Sequence, residues 1–363
     1  MNIEREGYWY WFNNIDGIGR KKQQILLDYF EDVEEIWKVS EDSLKEIKAL
    51  SSNDVASFVD SRNAEKIKKD FEMLKKWKVE FLSIENKNYP TKLKNIYDYP
   101  YGIYYSGNYI NNDTLSIAVI GARNCSEYGI ELATYFGREL SKAGVQVISG
   151  LARGIDTYAH KGALMSNGNT IGVLGTGIDI CYPEENIKVM EEMLERGGIL
   201  SEYNLGVQPR PGHFPMRNRI ISALVDGIVV IEARKRSGSL ITANIGLEHG
   251  KDIFAVPGRA FDKLSEGTNA IIKAGAKITT KIEDVLEEYF DIEESDQFSV
   301  KSRIITNQLE KTIYNILDFD PKCIDELEGE SKLPIGQFLQ GLLSLEIHGA
   351  IRKVANSGYV KIL

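Results

Sequence analysis

From about residue 115 the chain alternates short apolar runs with amphipathic stretches. LSIAVIG, VQVISG, NTIGVLG, GIVVIEA and KDIFAVPG are rich in Val and Ile and end at Gly, Glu or Pro, whereas residues 127–143, 184–196 and 240–249 repeat apolar positions at helical spacing. Runs without polar alternation describe strands buried on both faces. The pattern therefore predicts a largely parallel, doubly wound sheet, an α/β Rossmann-like core over residues 86–290. The flanks read differently. NNIDGIGRKKQQILLDYF has the shape of a helix-hairpin-helix, and residues 65–77 form a lysine-rich amphipathic helix with a solvated face, so residues 1–85 are expected to be a helical, sterile-alpha-motif-like unit. Residues 307–318, 324–329 and 335–347 read as three helices. AIRKV and GYVKIL around Asn356-Ser357-Gly358 read as a hairpin, which makes residues 301–363 winged-helix-like. An acidic run from Glu283 to Asp296 leads into an expected linker at 291–300.

Length and charge narrow the function. At 363 residues, with 43% hydrophobic and 27% charged side chains, the chain can bury more than one core. Its net charge of −9, from 44 Lys+Arg against 53 Asp+Glu, excludes a polycation that holds nucleic acid by bulk charge. Binding to a polyanion must be local. The apolar runs are far shorter than the roughly 20 residues that cross a bilayer, and MNIEREGYWYW carries acids where a signal peptide needs bases, so a cytoplasmic protein without membrane contact is expected. Three distant cysteines support neither a disulfide framework nor a zinc cluster.

The candidate chemistry gathers at the strand ends, where ligands of doubly wound sheets bind. GARNCSEYG, SGLARGID and GTGIDICYP each place glycine at the turn, and the first two add Arg123 and Arg153. Gly121 and Gly150 can adopt positive φ, which allows a tight strand-to-helix turn whose N–H groups and guanidinium share one phosphate; a tight turn with a surface arginine is the alternative. In HFPMRNRIIS, Arg217, Asn218 and Arg219 open a helix. Cations there oppose the helix dipole unless an anion lies between them, although a salt bridge to Glu202 or Glu232 would serve as well. Phe214 is placed either to stack on a base or to pack. EARKRSGSLITA brings Arg234, Lys235 and Arg236 to a helix start bearing Ser237, Gly238, Ser239 and Thr242, which suits phosphate oxygens, with simple capping as the alternative for Ser239. Other chemistries lack their signatures. There is no P-loop, the GTGIDI turn lacks the third glycine of a dinucleotide site, and the four histidines are scattered, so no cofactor or metal is expected. Asp156 and Asp179 lie near strand ends as candidate carboxylate catalysts, or as helix caps and arginine holders.

Taken in order, IAVIGAR, SGLARGID, GTGIDICYPEEN, LSEYNLG, HFPMRNRIIS, EARKRSGSLITA, GKDIFAVPGRAFD and GTNAIIKAGA resemble the bacterial DNA processing protein A family, also called DprA or Smf. The resemblance implies a non-enzymatic protein that binds single-stranded DNA without reading its sequence, forms a homodimer and loads the RecA recombinase in natural transformation. It also implies that Gly121, Arg123, Ser149, Gly150, Arg153, Phe214, Arg217, Asn218, Ser239 and Thr242 contact phosphate. Asn124 and Cys125 depart from the family pattern, as do Pro211 and Gly212, where Arg210 is expected to supply a missing charge. The glycine turn of the N-terminal hairpin, with Arg20, Lys21 and Lys22 beside it, suits either a phosphate or plain helix connection. The third helix of the C-terminal unit carries no Lys or Arg, with Arg352 and Lys353 left on the wing, which predicts protein contact or weak DNA contact. The competing class is a phosphoribohydrolase on a related core, whose PGGxGTxxE block is absent.

Overall fold

The computed structural model describes residues 4–290, 308–318, 320–347, 350–354 and 358–361; the expected linker and the Asn356-Ser357 tip lie outside them. Six helices come first: α1 (Arg5–Asn13), α2 (Arg20–Phe30), α3 (Val33–Lys38), α4 (Glu41–Lys45), α5 (Ser52–Asp60) and α6 (Ala64–Lys76). Their core is aromatic. Trp11 meets Trp37 and Phe58 edge-on at 4.8 and 5.0 Å between ring centroids. Tyr10 packs on Phe81 and Tyr104 of the adjoining sheet, so this unit shares its core with the sheet's edge.

Nine strands form that sheet. β1 (Glu80–Ser83) and β2 (Gly102–Gly107) pair antiparallel at one edge, with β1 lying inside the segment assigned by pattern to the helical unit. The remainder runs β3 (Ser116–Ile120), α7 (Glu127–Lys142), β4 (Gln146–Ser149), α8 (Ile155–Leu164), β5 (Thr170–Gly177), α9 (Ile187–Arg196) and β6 (Gly198–Tyr203). It continues through α10 (His213–Leu224), β7 (Gly227–Val230), α11 (Gly238–Glu248), β8 (Asp252–Ala255), α12 (Glu266–Lys273), β9 (Lys277–Ile278) and α13 (Glu283–Leu286). Strand order is β1-β2-β6-β5-β4-β3-β7-β8-β9, and every pair from β6 to β9 is parallel. The five Val/Ile runs are β3, β4, β5, β7 and β8, as their pattern predicts.

Alternation within the strands serves two layers. Ile117, Val119, Val147 and Val229 pack with α7 and α8, whereas Ala118, Ile120, Ile148 and Ile228 pack with α10 and α11. After β3 the chain winds outward through β4, β5 and β6, then returns to place β7 on the other side of β3. The crevice at the carboxyl ends of β3 and β7 is thus the topological switch point of the sheet.

The C-terminal unit consists of α14 (Gln308–Ile316), α15 (Ile324–Ser331), α16 (Ile335–Ile347) and the antiparallel pair β10 (Ile351–Val354) and β11 (Gly358–Lys361), a winged helix around Ile313, Leu327, Phe338 and Leu345. Its Arg352 reaches back to Glu127 and Glu131 of α7 at 2.5 and 2.9 Å, and its Asp320 pairs with Arg259. No described helix is long and apolar enough to cross a membrane.

Candidate nucleic-acid interface

A cleft of about 460 Å³ opens at the switch point. One wall is the loop after β3, with Gly121, Arg123 and Asn124; the opposite wall is the loop after β7 and the start of α11, with Arg234, Arg236, Ser237, Ser239 and Thr242. Phe214, Arg217 and Asn218 of α10 close the third side. Arg123, Arg234 and Arg236 are exposed, and none has a carboxylate partner among the described residues. The Arg123 guanidinium lies 5.7 Å from the Phe214 ring centroid, within cation–π range. Ser237 caps α11 through the Ser239 amide at 3.4 Å and shares a 2.7 Å hydrogen bond with the Ser239 hydroxyl, while Thr242 donates to the Gly238 carbonyl at 3.4 Å.

The glycines work differently from expectation. Neither Gly121 nor Gly150 has positive φ; Leu151 and Gly154 do, at 51° and 81°. Gly121 is required for room, because a Cβ there would lie 2.6 Å from Ile155 Cγ1 and 2.9 Å from the Glu232 carbonyl oxygen. At Gly150 a Cβ would overlap the Arg217 guanidinium, which donates to the carbonyl of Gly150 at 2.6 Å and to that of Val173. Burial pulls Arg217 below its ordinary pKa, to about 10, against the pull of Asp156, so it remains cationic at neutral pH. Arg217 is a charged floor strut, anchored in the sheet and bordering the cleft.

Four other expectations look different in the structure. Arg219 and Arg217 do not flank one anion: α10 starts at His213, placing both in its second turn, and residues two apart on a helix point in different directions. Arg219 is bound by both Glu202 oxygens at 2.6 Å and the Asp98 carbonyl at 2.8 Å, on the far side of α10. The alternative, a salt bridge to Glu202, is what forms. Ser149 is fully buried and donates to the Val119 carbonyl at 2.7 Å, leaving no hydroxyl for a ligand. Arg153 stands on the rim, already paired bidentately with Glu185 at 2.6 and 2.8 Å. Arg210 lines neither this cleft nor the smaller one beside it.

The carboxylates near strand ends serve the backbone. Asp156 accepts from the Gly150 amide at 3.1 Å, and burial raises its pKa with Arg217 opposing. Asp179 accepts from the Gly206 amide at 2.9 Å. His160 is buried against the Thr170 hydroxyl, and burial holds its pKa down to about 3. Among the described residues no His, Cys, Asp or Glu cluster could hold a metal. Burial also pushes the Cys125 thiol up to about 11. At the N-terminal hairpin, Gly17 does take φ of 78°, and of the cations beside it Lys21 is exposed while Arg20 and Lys22 are engaged. Arg20 lies over Tyr99 and Tyr101 at 4.6 and 3.8 Å and donates to the Tyr99 carbonyl; Lys22 holds Asp54 at 2.6 Å.

The sequence model of the DNA recombination-mediator protein A family matches residues 80–290, and that of the DprA winged helix domain matches 301–356. This chain belongs to that family. DNA processing protein DprA of Streptococcus pneumoniae is 44% identical over 207 residues, covering 57% of this chain and 73% of its own length. Protein Smf of Escherichia coli is 36% identical over 286 residues, 77% of this chain and 76% of that one. The X-ray structure of DprA from S. pneumoniae superposes with a TM-score of 0.68 at 35% identity, over 81% of this chain and all of the other. A DprA structure from Helicobacter pylori, described as giving insight into its single-stranded DNA binding mode, matches at 0.53 and 32%, over 58% of this chain and 95% of that one. The matched DprA/Smf core thus runs from β1 to α13 and includes every strand and helix that frames the cleft. Within it, residue patterns missed Tyr182. This half-exposed aromatic lies in the third strand-end turn, 5.5 Å from Phe214 between ring centroids, and its only signal was its place beside Pro183 in a turn.

Proposed function

We propose that this DprA/Smf protein holds single-stranded DNA by its sugar-phosphate backbone in the cleft between the β3 and β7 loops, protects it, and as a cytoplasmic homodimer delivers it to the RecA recombinase. The observation that carries the reading is the convergence of Arg123, Arg234 and Arg236, without acidic partners among the described residues, on the hydroxyl-bearing start of α11. Gly121, Asn218, Ser237, Ser239 and Thr242 complete the phosphate side, and Phe214 offers a ring to a base. Nothing in the cleft resembles a helix that reads duplex base edges, so sequence is ignored. A chain of net charge −9 can do this because charges beyond about 8 Å are largely screened at physiological salt. The Helicobacter pylori relative, described as binding single-stranded DNA, supports the same reading.

Oligo-dT binding measured across salt tests it. The logarithm of affinity should fall linearly with that of salt concentration, with a slope of about −0.7 for each phosphate held. A salt-independent affinity, or release of base from nucleoside monophosphates, would replace the reading with a nucleotide-processing one.

A further inference from the structure

We infer that the lysine-bearing flank of α6 seats the protein on an anionic lipid bilayer, touching it from one side without crossing it. The inference is independent of what the cleft holds, and it gives this helix a partner where its sequence pattern predicts a solvated face. Lys66, Lys68, Lys69, Lys75, Lys76 and Lys78 lie in α6 or just past its end. All six are exposed, and none has a carboxylate partner among the described residues. Helical spacing sorts the surface further. Lys66, Lys69, Met73, Lys76 and Trp77 recur at steps of three and four residues and share one flank, whereas Glu65 and Glu72 fall in the neighbouring row. Asp70 is half-buried beside Tyr10, and Ile67 and Leu74 face the core. Two large apolar side chains thus stand among the cations in water, Met73 at 48% and Trp77 at 54% exposure.

What accompanies the cations decides the kind of polyanion. In the cleft they are arginines beside hydroxyls and helix-start amides, a set that grips individual phosphates. Along α6 they are lysines beside a thioether and an indole, and no Arg, Ser or Thr occurs between Ala64 and Lys78. Lysine heads can reach lipid phosphates while their stems and Met73 lie along the headgroup layer, and an indole settles at the boundary between headgroup and acyl chain. With a net charge of −9 elsewhere opposing it, the attraction acts only at short range and fades as salt rises. The place of α6 in the fold makes the contact useful. It leads directly into β1, the edge strand, five strand spacings from β3, roughly 24 Å away. A molecule seated through α6 therefore keeps its cleft open, and lipid and nucleic acid do not compete.

Cosedimentation of the full chain with vesicles of phosphatidylcholine alone, and of phosphatidylcholine mixed equally with phosphatidylglycerol, tests this. The protein should bind the anionic vesicles and not the neutral ones, and leave them at high salt. Trp77, the one exposed indole of four, reports the contact directly: its emission should shift to the blue and be quenched by brominated acyl chains. Lys66→Gln, Lys69→Gln and Lys76→Gln combined should weaken vesicle binding about a hundredfold, about fivefold for each charge, with melting temperature and oligo-dT binding unchanged. Excess oligo-dT should not displace the vesicles. Equal binding to both vesicles, binding to neither, or a triple variant that binds as the parent does overturns the inference. Displacement by oligo-dT puts the lipid on the cleft arginines and overturns it too. A triple variant that loses oligo-dT and keeps the vesicles assigns the flank to nucleic acid, with the same result.

Discussion

Two glycine turns in this chain are followed by basic residues, and they end differently. At the N-terminal hairpin, Arg20 is laid over Tyr99 and Tyr101 and Lys22 is held by Asp54, whose carboxyl is lowered to about 2 by that lysine and the Ser51 hydroxyl and amide. At the switch point Arg123, Arg234 and Arg236 face each other across a cleft without carboxylates of their own. Both segments look alike as strings of Gly, Arg and Lys. What separates a structural cation from a ligand-seeking one is whether the fold brings it a partner, and here the fold does so for Arg20 and Lys22, though not for the exposed Lys21 between them, and withholds it from the second group.

Substitutions can break or sharpen this contrast. The largest effect is expected from Arg217→Ala, which belongs structurally to the first class although it borders the cleft. Removing it unpairs the buried Gly150 and Val173 carbonyls and takes a nearby cation from buried Asp156, at a cost of about 1–3 kcal/mol of unfolding free energy. Asp156 is already raised above the ordinary carboxylate range, and the substitution raises it further. A raised carboxyl disfavours the folded state only above the unfolded-state pKa of about 4, so the deficit should shrink as pH falls towards that value and grow as pH rises. Denaturant titration at several pH values checks both size and sign. A deficit that does not vary with pH would separate Asp156 from Arg217.

Next comes Arg123→Ala, expected to weaken oligo-dT binding about tenfold at low salt and to reduce the salt slope by about 0.7, with the melting temperature unchanged because the side chain is exposed. An unaltered slope would place Arg123 in the structural class. Arg20→Ala should do the reverse: about 1 kcal/mol of stability lost with its carbonyl bond and ring contacts, and no change in salt slope. Lys22→Ala is the mildest, about 0.5 kcal/mol, since its partner Asp54 stays hydrogen-bonded in the Ser51 capping box. Any loss of oligo-dT binding by either hairpin variant would erase the contrast.

The same contrast explains what the sequence could reveal. Five central strands were legible because their residues are apolar on both faces, and the winged helix because its three periods and hairpin are local. β6, with Ser201 and Glu202, and the tyrosine-rich β2 lacked such a run, and β9 has two residues. Within the cleft, Arg123, Ser239 and Thr242 lie at the switch point, where strand-end logic puts them. Arg219 takes the alternative that the charges suggested, Glu202, whereas its contact with Asp98 and that of Ser149 with Val119 join segments distant in sequence that meet only through the sheet order. Gly150 differs from its reading as a phosphate turn, since the clash it avoids is with a side chain from another helix.

The winding of the sheet has one more consequence. Arg123 follows the first parallel strand, whereas Arg234 and Arg236 arrive only after the chain has travelled out to β6 and back to β7. The two jaws of the grip are made early and late during synthesis. A nascent chain halted before the end of β7 owns one jaw alone, so on the proposed reading the grip cannot close until the loop after β7 has been made.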